Sequence, residues 1–354
     1  MKTQAITREK FGSLAEHRAF CGKPAKKGPL TPFSCRPAAV YSAQVAGLAR
    51  RLKAISCATV VIGLSGGLDS TLALLVAVGA FKRLGLDLRG IHVYTMPGFG
   101  TTKRTKGNAE LLCEGLGLEM ETISIVKSVR QHLADIGHDG TTPDLTYENA
   151  QARMRTLILM DKANMTGGIV LGTGDLSEIA LGWCTYNGDH MSMFGVNSGV
   201  PKTVIRQVCA WWARTQDANT KGEIGKAAKA VLDIIATPVS PELVKGQVTE
   251  AHLGPYELHD FFLWNFIMNG MGRADLLAAA ERYFLSHRSP EQTNTFSKEL
   301  IAKTLDTFLW RFVTQAFKRN CAPDGIRVFP FELSLRGWWI PSDLNPRAIL
   351  SRLR

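Results

Sequence analysis

Residues 60–74 read VVIGLSGGLDSTLAL and contain the transition on which the fold depends. The β-branched apolar run at 60–62 predicts a buried strand, the glycine-rich turn ends it, and the apolar run after Leu68 predicts a helix. Such a turn leaves backbone N–H groups beside the positive end of a helix dipole, which suits an anion such as phosphate. Asp69 is an acid at the place that phosphate would occupy, and a metal ion bridging the two would explain it.

The turn is not a Walker loop, because no Gly-Lys-Ser/Thr sequence closes it. For this stretch alone, a helix cap in a tight turn between strand and helix is the structural alternative. The string SGGLDS resembles the pyrophosphate-binding loop of the ATP pyrophosphatases. Those enzymes cleave ATP to AMP and pyrophosphate while they activate a carboxyl, carbonyl or thiol group.

The composition is that of a globular protein, with 354 residues of which 45% are hydrophobic and 21% charged. No apolar run approaches the roughly 20 residues of a membrane span, and residues 1–10 lack the apolar core of a signal peptide. The seven cysteines stand singly and form no CxxC pair, so the sequence predicts neither a disulfide framework nor a zinc site. These features predict a cytoplasmic protein with no membrane partner.

The net charge of +11 (42 basic minus 31 acidic residues) has two interpretations. One is a basic face that binds nucleic acid, and the other is a pocket for polyanionic nucleotides on a solvated basic surface. The second is favoured, because no nucleic-acid-binding module is recognisable and much of the excess charge lies within residues 2–27. We therefore expect no nucleic-acid partner, and a basic, flexible N-terminal arm over residues 1–38.

Strand patterns alternate with helical patterns along the first half of the chain. Further strands are predicted at 90–96, 119–125 and 168–172, and helices at 39–55, 68–83, 105–116 and 143–165. This alternation predicts an α/β fold with a doubly wound, Rossmann-like parallel sheet and right-handed crossovers. Helices predicted at 256–269, 273–285 and 295–320 make up a helical C-terminal portion.

The domain organisation predicted from these patterns is one domain over residues 39–321, followed by a C-terminal extension over 322–354. Residues 182–200 are rich in glycine, aromatic and polar residues, which is typical of a functional loop. Pro201 is at a position that favours the start of a helix. Residues 237–242 are predicted to form a mobile segment.

Five strings occur in order and together are far more specific than the first loop. They are SGGLDST (65–71), TMPGFGTTKRTKGNA (95–109), YENAQARMR (147–155), LGTGDLSEIALGWCTYNGDHMSMFGVNSGVPKT (171–203) and FKRNCAPDG (317–325). They closely resemble the synthetase portion of the NAD⁺ synthetases, and most of all the glutamine-dependent branch. The resemblance covers about residues 38–345.

The resemblance implies a ligase that forms a C–N bond. Members of that family convert deamido-NAD⁺, ATP and ammonia into NAD⁺, AMP and pyrophosphate. They adenylylate the nicotinate carboxylate and then let ammonia displace AMP. Mg²⁺ as cofactor, ATP as co-substrate and a homo-oligomeric assembly follow from the same resemblance.

The resemblance also implies the residues of the ATP half of the site. Asp69 and Glu178 match the magnesium-holding carboxylates and, with Lys202, make up the implied catalytic set. For Glu178 the structural alternative is a first-turn acid favoured by the helix dipole, whereas a lysine such as Lys202 at a helix start is repelled by that dipole unless an anion binds there. The implied ATP-binding residues are Ser65, Gly66, Gly67, Asp69, Ser70, Thr173 and Lys202.

For deamido-NAD⁺, Asn149 and Arg153 match substrate positions, and their spacing of four places them on one helical face. Arg155 faces elsewhere and is predicted to be structural. Cys184 is predicted to be a packing thiol, since acyl-adenylate chemistry needs no covalent nucleophile. The remaining implied substrate contacts are Glu178, the aromatic lining Trp183 and Tyr186, the cation-holding Asp189, and Lys318.

Two departures from the family pattern stand out. Glutamine-dependent members carry a glutaminase domain with a Glu–Lys–Cys triad ahead of the synthetase portion, and about 38 residues are too few for a domain. Ammonia is therefore the expected nitrogen donor, either free or delivered by a separate glutaminase, unless the chain is a fragment. In the predicted mobile loop, Gln247 is followed by residues 248–250 (VTE), which lack one acid of the family's Asp-Glu pair.

Two other functions stay open from the sequence. One is another ATP pyrophosphatase-type amidotransferase, against which the 183–189 loop argues. The other is a non-catalytic nucleotide-binding subunit, against which Asp69, Glu178 and Lys202 argue together. The segment at 336–343 resembles the family's terminal segment and is predicted to be a surface or oligomer contact.

Overall fold

The computed structural model describes residues 35–101, 103–217, 223–237, 249–286, 296–334, 337–338 and 345–352. Almost all of the predicted N-terminal arm lies outside these ranges, and so do residues 238–242, Gln247 and most of the 336–343 segment. By their contacts, the described residues form two compact units. Residues 35–252 and 318–338 are here named the sheet unit, and residues 253–317 and 345–352 the helical unit.

The sheet unit is built on five parallel strands in the order β3-β2-β1-β4-β5. The predicted doubly wound parallel sheet is therefore confirmed. The strands are β1 (Val60–Gly63), β2 (Ile91–Thr95), β3 (Met120–Thr122), β4 (Ile169–Gly172) and β5 (Phe194–Gly195).

Helices connect and cover the strands. Up to β5 they are α1 (Pro37–Ala54), α2 (Leu68–Leu84), α3 (Lys103–Leu116), α4 (Val126–Asp135), α5 (Leu145–Thr166) and α6 (Leu176–Leu181). After β5 come α7 (Lys202–Asp217), α8 (Glu223–Ala236) and α9 (Thr249–Leu253).

The central strand β1 is buried on both faces of the sheet. Val60, Val61 and Ile62 are completely buried, because strands β2 and β4 flank β1 and helices cover both faces. Val61 packs with Ala163 of α5 on one face, while α2 packs against β1 and α1. A continuous apolar run of this kind is what a strand buried on both faces requires.

The end of the sheet unit returns to the sheet beside β5. The N–H of Gly195 donates to the carbonyl of Asp324 (2.7 Å), and the N–H of Ile326 donates to the carbonyl of Gly195 (3.0 Å). These bonds form a single parallel bridge between Gly195 and Gly325. Residues far apart in sequence thus complete this edge of the sheet.

The helical unit is organised around α10 (Tyr256–Met268) and α12 (Lys298–Thr314), with α11 (Arg273–Ser286) and α14 (Pro346–Arg352) packed against α12. The short helix α13 (Ala316–Arg319) follows α12. Phenylalanine rings fill the core of the unit, including a pair between Phe266 and Phe312 with ring centroids 5.3 Å apart. The predicted helical C-terminal portion is confirmed.

Local differences from the sequence prediction are few. The predicted third strand at 119–125 is only three residues long, and the predicted helix at 295–320 is interrupted after Thr314. The strand β5 and the helices α4, α8, α9 and α14 were not predicted. No described helix is both long enough and apolar enough to span a bilayer. The predicted domain boundaries at 39–321 and 322–354 stay a prediction.

Candidate active site

The candidate site lies where the strand order reverses. From β1 the chain moves outward to β2 and β3, and it then crosses to β4 on the other side of β1. The loops after β1 and β4 therefore leave in opposite directions and open a crevice at the carboxyl ends of the strands, where open α/β sheets bind ligands. The first loop and the first turn of α2 carry Ser65 to Asp69, and the second loop and the first turn of α6 carry Thr173 to Glu178.

The loop after β1 has the conformation that its glycines predict. Gly66 has a φ of +83°, in the left-handed region where a side chain would be strained, so this position favours glycine. The hydroxyl of Ser65 accepts from the N–H of Gly67 (3.1 Å) and lies 3.1 Å from the hydroxyl of Ser70. The N-terminal N–H groups of α2 have no intrahelical partner and can bind an anion.

Three carboxylates surround the ammonium group of Lys202, the first residue of α7. The Lys202 Nζ lies 2.5 Å from Asp69 Oδ2, 2.7 Å from Asp175 Oδ2 and 2.9 Å from Glu178 Oε1. The side chains of Lys202 and Asp175 are 4% and 0% exposed. From the sequence, an anion was expected to balance Lys202 at its helix start; these carboxylates already do so.

Three carboxylates share the single ammonium group of Lys202, and burial is the main cause of the raised pKa values in the cluster. Burial raises the pKa of Asp175 well above its ordinary range, although Lys202 pulls in the opposite direction. Burial also raises the pKa of Glu178 to about 7, with Asp69 and Asp189 adding to the rise and Lys202 opposing it. An additional cation would therefore stabilise the ionised carboxylates.

The carboxylates fit a magnesium ion in two respects. One oxygen from each of Asp69, Asp175 and Glu178 lies within 4.8 Å of the others, and Mg²⁺ prefers oxygen ligands at about 2.0–2.1 Å. In addition, Asp69 Oδ1 is buried and accepts no hydrogen bond from the described residues. These three residues could hold Mg²⁺ if Lys202 moved toward another anion.

A cavity adjoins this cluster through Glu178. Its wall also contains Thr173, Cys184, Asp189, His190 and Lys318. Burial raises the pKa of the Cys184 thiol, so this thiol stays protonated at neutral pH, which agrees with the predicted packing role. The cavity thus combines a carboxylate shared with the charged cluster, a second carboxylate and a lysine.

Comparison with known proteins identifies the family. The sequence pattern that defines the NAD synthase family matches residues 40–283. The chain belongs to the NAD synthase family. A curated relative, the glutamine-dependent NAD(+) synthetase of Mycobacterium leprae, is 40% identical over 336 residues, which are 88% of this chain and 48% of the relative. The chain therefore spans about half the length of the curated relatives it matches.

Two solved structures resemble this NAD synthase family member. The NMN synthetase of Francisella tularensis is 26% identical with a TM-score of 0.55, and the match covers 74% of this chain and 100% of that one. A glutamine-dependent NAD(+) synthetase of Cytophaga hutchinsonii has a TM-score of 0.67 at 16% identity, covering 89% of this chain and 55% of the other. The second likeness shows the fold alone.

In this NAD synthase family member, Asn149 and Arg153 contact the loop after α6. Asn149 Oδ1 accepts from the hydroxyl of Thr185 (2.9 Å), and the Arg153 guanidinium donates to the carbonyl of Tyr186 (3.3 Å). Both residues therefore lie on one face of α5, as the spacing predicted. Arg155 instead donates to the carbonyl of Met96 (3.0 Å), the residue that follows β2.

The other predicted substrate residues occupy two places. Asp189 and Lys318 line the cavity, and Lys318 donates to the carbonyls of Gly182 (2.9 Å) and Cys184 (2.6 Å). The ring of Tyr186 is exposed and stacks on His190, whereas neither Tyr186 nor Trp183 is among the residues that line the cavity. Their substrate contacts stay a prediction.

Sequence reasoning missed Asp175. Its Oδ1 caps α6 by accepting from the N–H of Glu178 (2.7 Å), while its Oδ2 faces Lys202. In sequence, Asp175 has the position and residue type of an ordinary helix N-cap. Its second role, the contact with Lys202, therefore gave no separate signal. His190, whose Nε2 lies 3.3 Å from the sulfur of Cys321, was also missed.

The raised pKa of Glu178 predicts a pH-dependent stability of the protein without divalent cation. Because the folded-state pKa of about 7 lies above the ordinary glutamate value of 4.5, the contribution to stability is full below pH 4.5 and is lost as pH rises from 4.5 through 7. We expect Glu178→Gln to remove a share of that decrease, up to about 3 kcal/mol. Urea unfolding at pH 5 to 8 with a chelator measures it. The exposed Glu121→Gln is the matched control; equal pH slopes in both variants and the parent would contradict the prediction.

Proposed function

We propose that the chain catalyses the ATP-dependent amidation of deamido-NAD⁺. In the first step, an oxygen of the nicotinate carboxylate attacks the α-phosphate of ATP, which forms a nicotinate adenylate and releases pyrophosphate. In the second step, ammonia attacks the acyl carbon, loses a proton and displaces AMP, which leaves NAD⁺. The family membership and the architecture of the crevice both support this reaction.

One observation carries the proposal. Glu178 belongs both to the charged cluster around Lys202 and to the wall of the neighbouring cavity. A phosphate held at the cluster and a carboxylate held in the cavity would therefore be adjacent. That adjacency is what an adenylylation step requires, since the reacting atoms must approach to about 3–3.5 Å.

On the ATP side, residues 65–70 and Thr173, which follows the carboxyl end of β4, would bind the phosphates. Mg²⁺ held by Asp69, Asp175 and Glu178 would neutralise the phosphate charge when bound. Lys202 begins within hydrogen-bond distance of the same carboxylates. It would move to the pyrophosphate as negative charge develops there.

On the deamido-NAD⁺ side, Asn149 and Arg153 would contact the substrate together with the loop after α6, to which both already bond. Trp183 and Tyr186 supply aromatic surface for the pyridine ring. Asp189 in the cavity wall would attract the cationic ring or ammonium, and Lys318 would contact the dinucleotide. Each of these roles is part of the proposal.

The proposed nitrogen donor is ammonia, either free or delivered by a separate glutaminase. The proposed setting is the cytoplasm, and the proposed assembly is a homo-oligomer. The Mycobacterium leprae relative is named glutamine-dependent. The proposed nitrogen donor of this chain, ammonia, therefore differs from the donor in that name.

A mononucleotide substrate is the second candidate. The Francisella tularensis protein that matches over its full length is named an NMN synthetase. An enzyme of that kind would amidate the acid form of the mononucleotide with the same ATP chemistry. The charged cluster would serve both reactions equally, so the difference must lie in the contacts of the adenylate half of the dinucleotide.

The test is an end-point assay with the purified chain, ATP and Mg²⁺. Deamido-NAD⁺, nicotinate mononucleotide and XMP are each supplied with either ammonium or glutamine. We expect one AMP and one NAD⁺ per deamido-NAD⁺ with ammonium only. Asp69→Asn should abolish this turnover, whereas the exposed Asp87→Asn should not.

Each other outcome of that assay has a definite meaning. AMP formation with the mononucleotide alone would assign the second candidate, and turnover with XMP would assign another ATP pyrophosphatase-type amidotransferase. ATP binding without turnover for any acid and nitrogen donor would indicate a non-catalytic nucleotide-binding subunit. Turnover with glutamine would contradict the proposed donor.

A further inference from the structure

We propose that Asn197 is a positioning residue that fixes the distance between the two loops of the crevice. The inference rests on the proposed function, because it concerns the carboxylates that would hold Mg²⁺. Asn197 is completely buried and lies in the segment between β5 and α7. Asn197 is not among the residues that line the cavity, and its side chain bonds to the two loops and to Gln44, so we expect it to act through the loops.

The amide of Asn197 bonds to both loops at once. Its Nδ2 donates to the carbonyl of Asp69 (2.8 Å) and to the carbonyl of Thr173 (3.1 Å). One amide nitrogen has two protons, so these two acceptors use its donor capacity fully. Asp69 supplies one carboxylate of the cluster, and Thr173 lies two residues before Asp175.

The sheet itself does not hold these loops together. Strands β1 and β4 pair only at Val60 with Ile169 and at Val61 with Val170. Nearer the carboxyl ends, β1 still pairs with β2 at Gly63, and β4 pairs with β5 at Gly172, but β1 and β4 no longer pair with each other. Asn197 bridges the gap that opens where the strands part.

A second buried amide fixes the orientation of the first. Gln44 of α1 is completely buried, and its Nε2 donates to Asn197 Oδ1 (3.0 Å) and to the carbonyl of Val196 (3.0 Å). If the Asn197 amide were reversed, its oxygen would face two carbonyl oxygens and its nitrogen would face the Gln44 donor. The Gln44 contact therefore stabilises the orientation in which Asn197 links the two loops.

The geometry of the carboxylate cluster depends on this link. The oxygens of Asp69, Asp175 and Glu178 come from both loops and must meet at one ion or one ammonium group. A misplacement of about 1 Å at a catalytic constellation can lower the rate by about 100-fold. Asn149 and Arg153 are on α5 and contact a different loop, so binding of the acid substrate should be affected little.

The experiment compares Asn197→Ala and Asn197→Asp with the parent chain. We expect a 10- to 100-fold lower kcat, in line with the cited sensitivity to position, and a several-fold higher Mg²⁺ concentration at half-maximal rate. The KM for deamido-NAD⁺ should stay within about twofold. Asn197→Asp should have the larger effect, because an acceptor then faces two carbonyl oxygens.

The matched control is Asn265→Ala in the helical unit. Asn265 is also a completely buried amide whose Nδ2 donates to a backbone carbonyl, that of Phe261 (2.9 Å). We expect this variant to lose stability without a change in Mg²⁺ dependence. An equal loss of kcat in Asn265→Ala, or an unchanged Mg²⁺ dependence in Asn197→Ala, would overturn the proposal.

Two further measurements keep the test decisive. If Asn197→Ala does not fold, Gln44→Ala should show a smaller effect in the same direction, since it leaves both loop contacts but frees the amide to reverse; normal Mg²⁺ dependence there would count against the proposal. Equilibrium binding of Mn²⁺ in the presence of a non-hydrolysable ATP analogue should weaken several-fold in the Asn197 variants. This binding does not require turnover, so it separates a failure of this inference from a failure of the proposed reaction.

Discussion

Lys202→Met is expected to lower turnover by on the order of 10²–10³-fold and, at the same time, to tighten divalent-cation binding in the absence of nucleotide. The Lys202 Nζ lies 2.5 to 2.9 Å from one oxygen of each carboxylate, so it occupies the space that a shared metal ion would need. A unit charge pair at 4 Å is worth about 4 kcal/mol at an effective dielectric constant of 20. Removing the ammonium group should therefore tighten metal binding by at least about tenfold.

The same substitution should make stability depend on the metal. Without Lys202, Asp69, Asp175 and Glu178 are left in a buried site with no cation, and removal of one partner from a buried ion pair costs about 3–5 kcal/mol. Added Mn²⁺ should restore most of that loss. The measurements are isothermal titration with Mn²⁺ and thermal unfolding with and without the ion.

Lys162→Met is the matched control for Lys202→Met. Lys162 also pairs with a carboxylate, that of Glu121 (3.1 Å), but at the surface of the sheet unit. Its replacement should change neither turnover nor Mn²⁺ affinity. If Lys202→Met bound Mn²⁺ no more tightly than the parent chain, the ammonium group would not be competing with a metal ion for these carboxylates.

Asp175→Ser is expected to lower turnover by about 100-fold or more while changing the stability of the metal-free protein by no more than about 1 kcal/mol. Serine caps a helix about as well as aspartate, so the bond to the N–H of Glu178 can be kept. Burial raises the pKa of Asp175, which means that the fold opposes its charge even beside Lys202. Removing that charge should therefore relieve repulsion in the metal-free state and offset the lost ion pair.

Asp144→Ser is the control that separates the capping role of Asp175 from its contact with Lys202. Asp144 caps α5 in the same way, accepting from the N–H of Tyr147 (2.9 Å), but it is exposed and far from Lys202 along the chain. Chemical unfolding with a chelator should give similar small changes for both variants, and only Asp175→Ser should lose turnover. A loss of 3–5 kcal/mol in Asp175→Ser alone would show instead that the ion pair stabilises the fold.

Sequence patterns predicted the central strands well because their signals are local. The run at 60–62 and the run at 169–171 are apolar, and each is followed by a small-residue turn into a helix. Glycines that end the helices, Gly85 and Gly167, have the positive φ that such ends favour, which explains the accurate helix bounds. Strand β5 was missed because its two residues become a strand only through pairing with β4.

The candidate site was predictable in its chemistry but not in its arrangement. Asp69, Glu178 and Lys202 each follow from a motif, and the structure brings them together. Asp175 and Asn197 stand inside the same motifs, yet their roles depend on which groups face them across the crevice. Gln44, whose amide orients Asn197, lies in a helix more than 150 residues earlier. The sequence around Asn197 therefore cannot predict this contact.

The return of residues 318–338 to the edge of the sheet has a consequence for folding. During synthesis, β5 is complete more than 120 residues before Gly325, the residue it bridges, and residues 253–317 of the helical unit emerge in between. Closing so long a loop is slow, and contacts of high sequence separation form late. The sheet edge at Gly195 should therefore be the last part of the sheet unit to become protected as the chain folds.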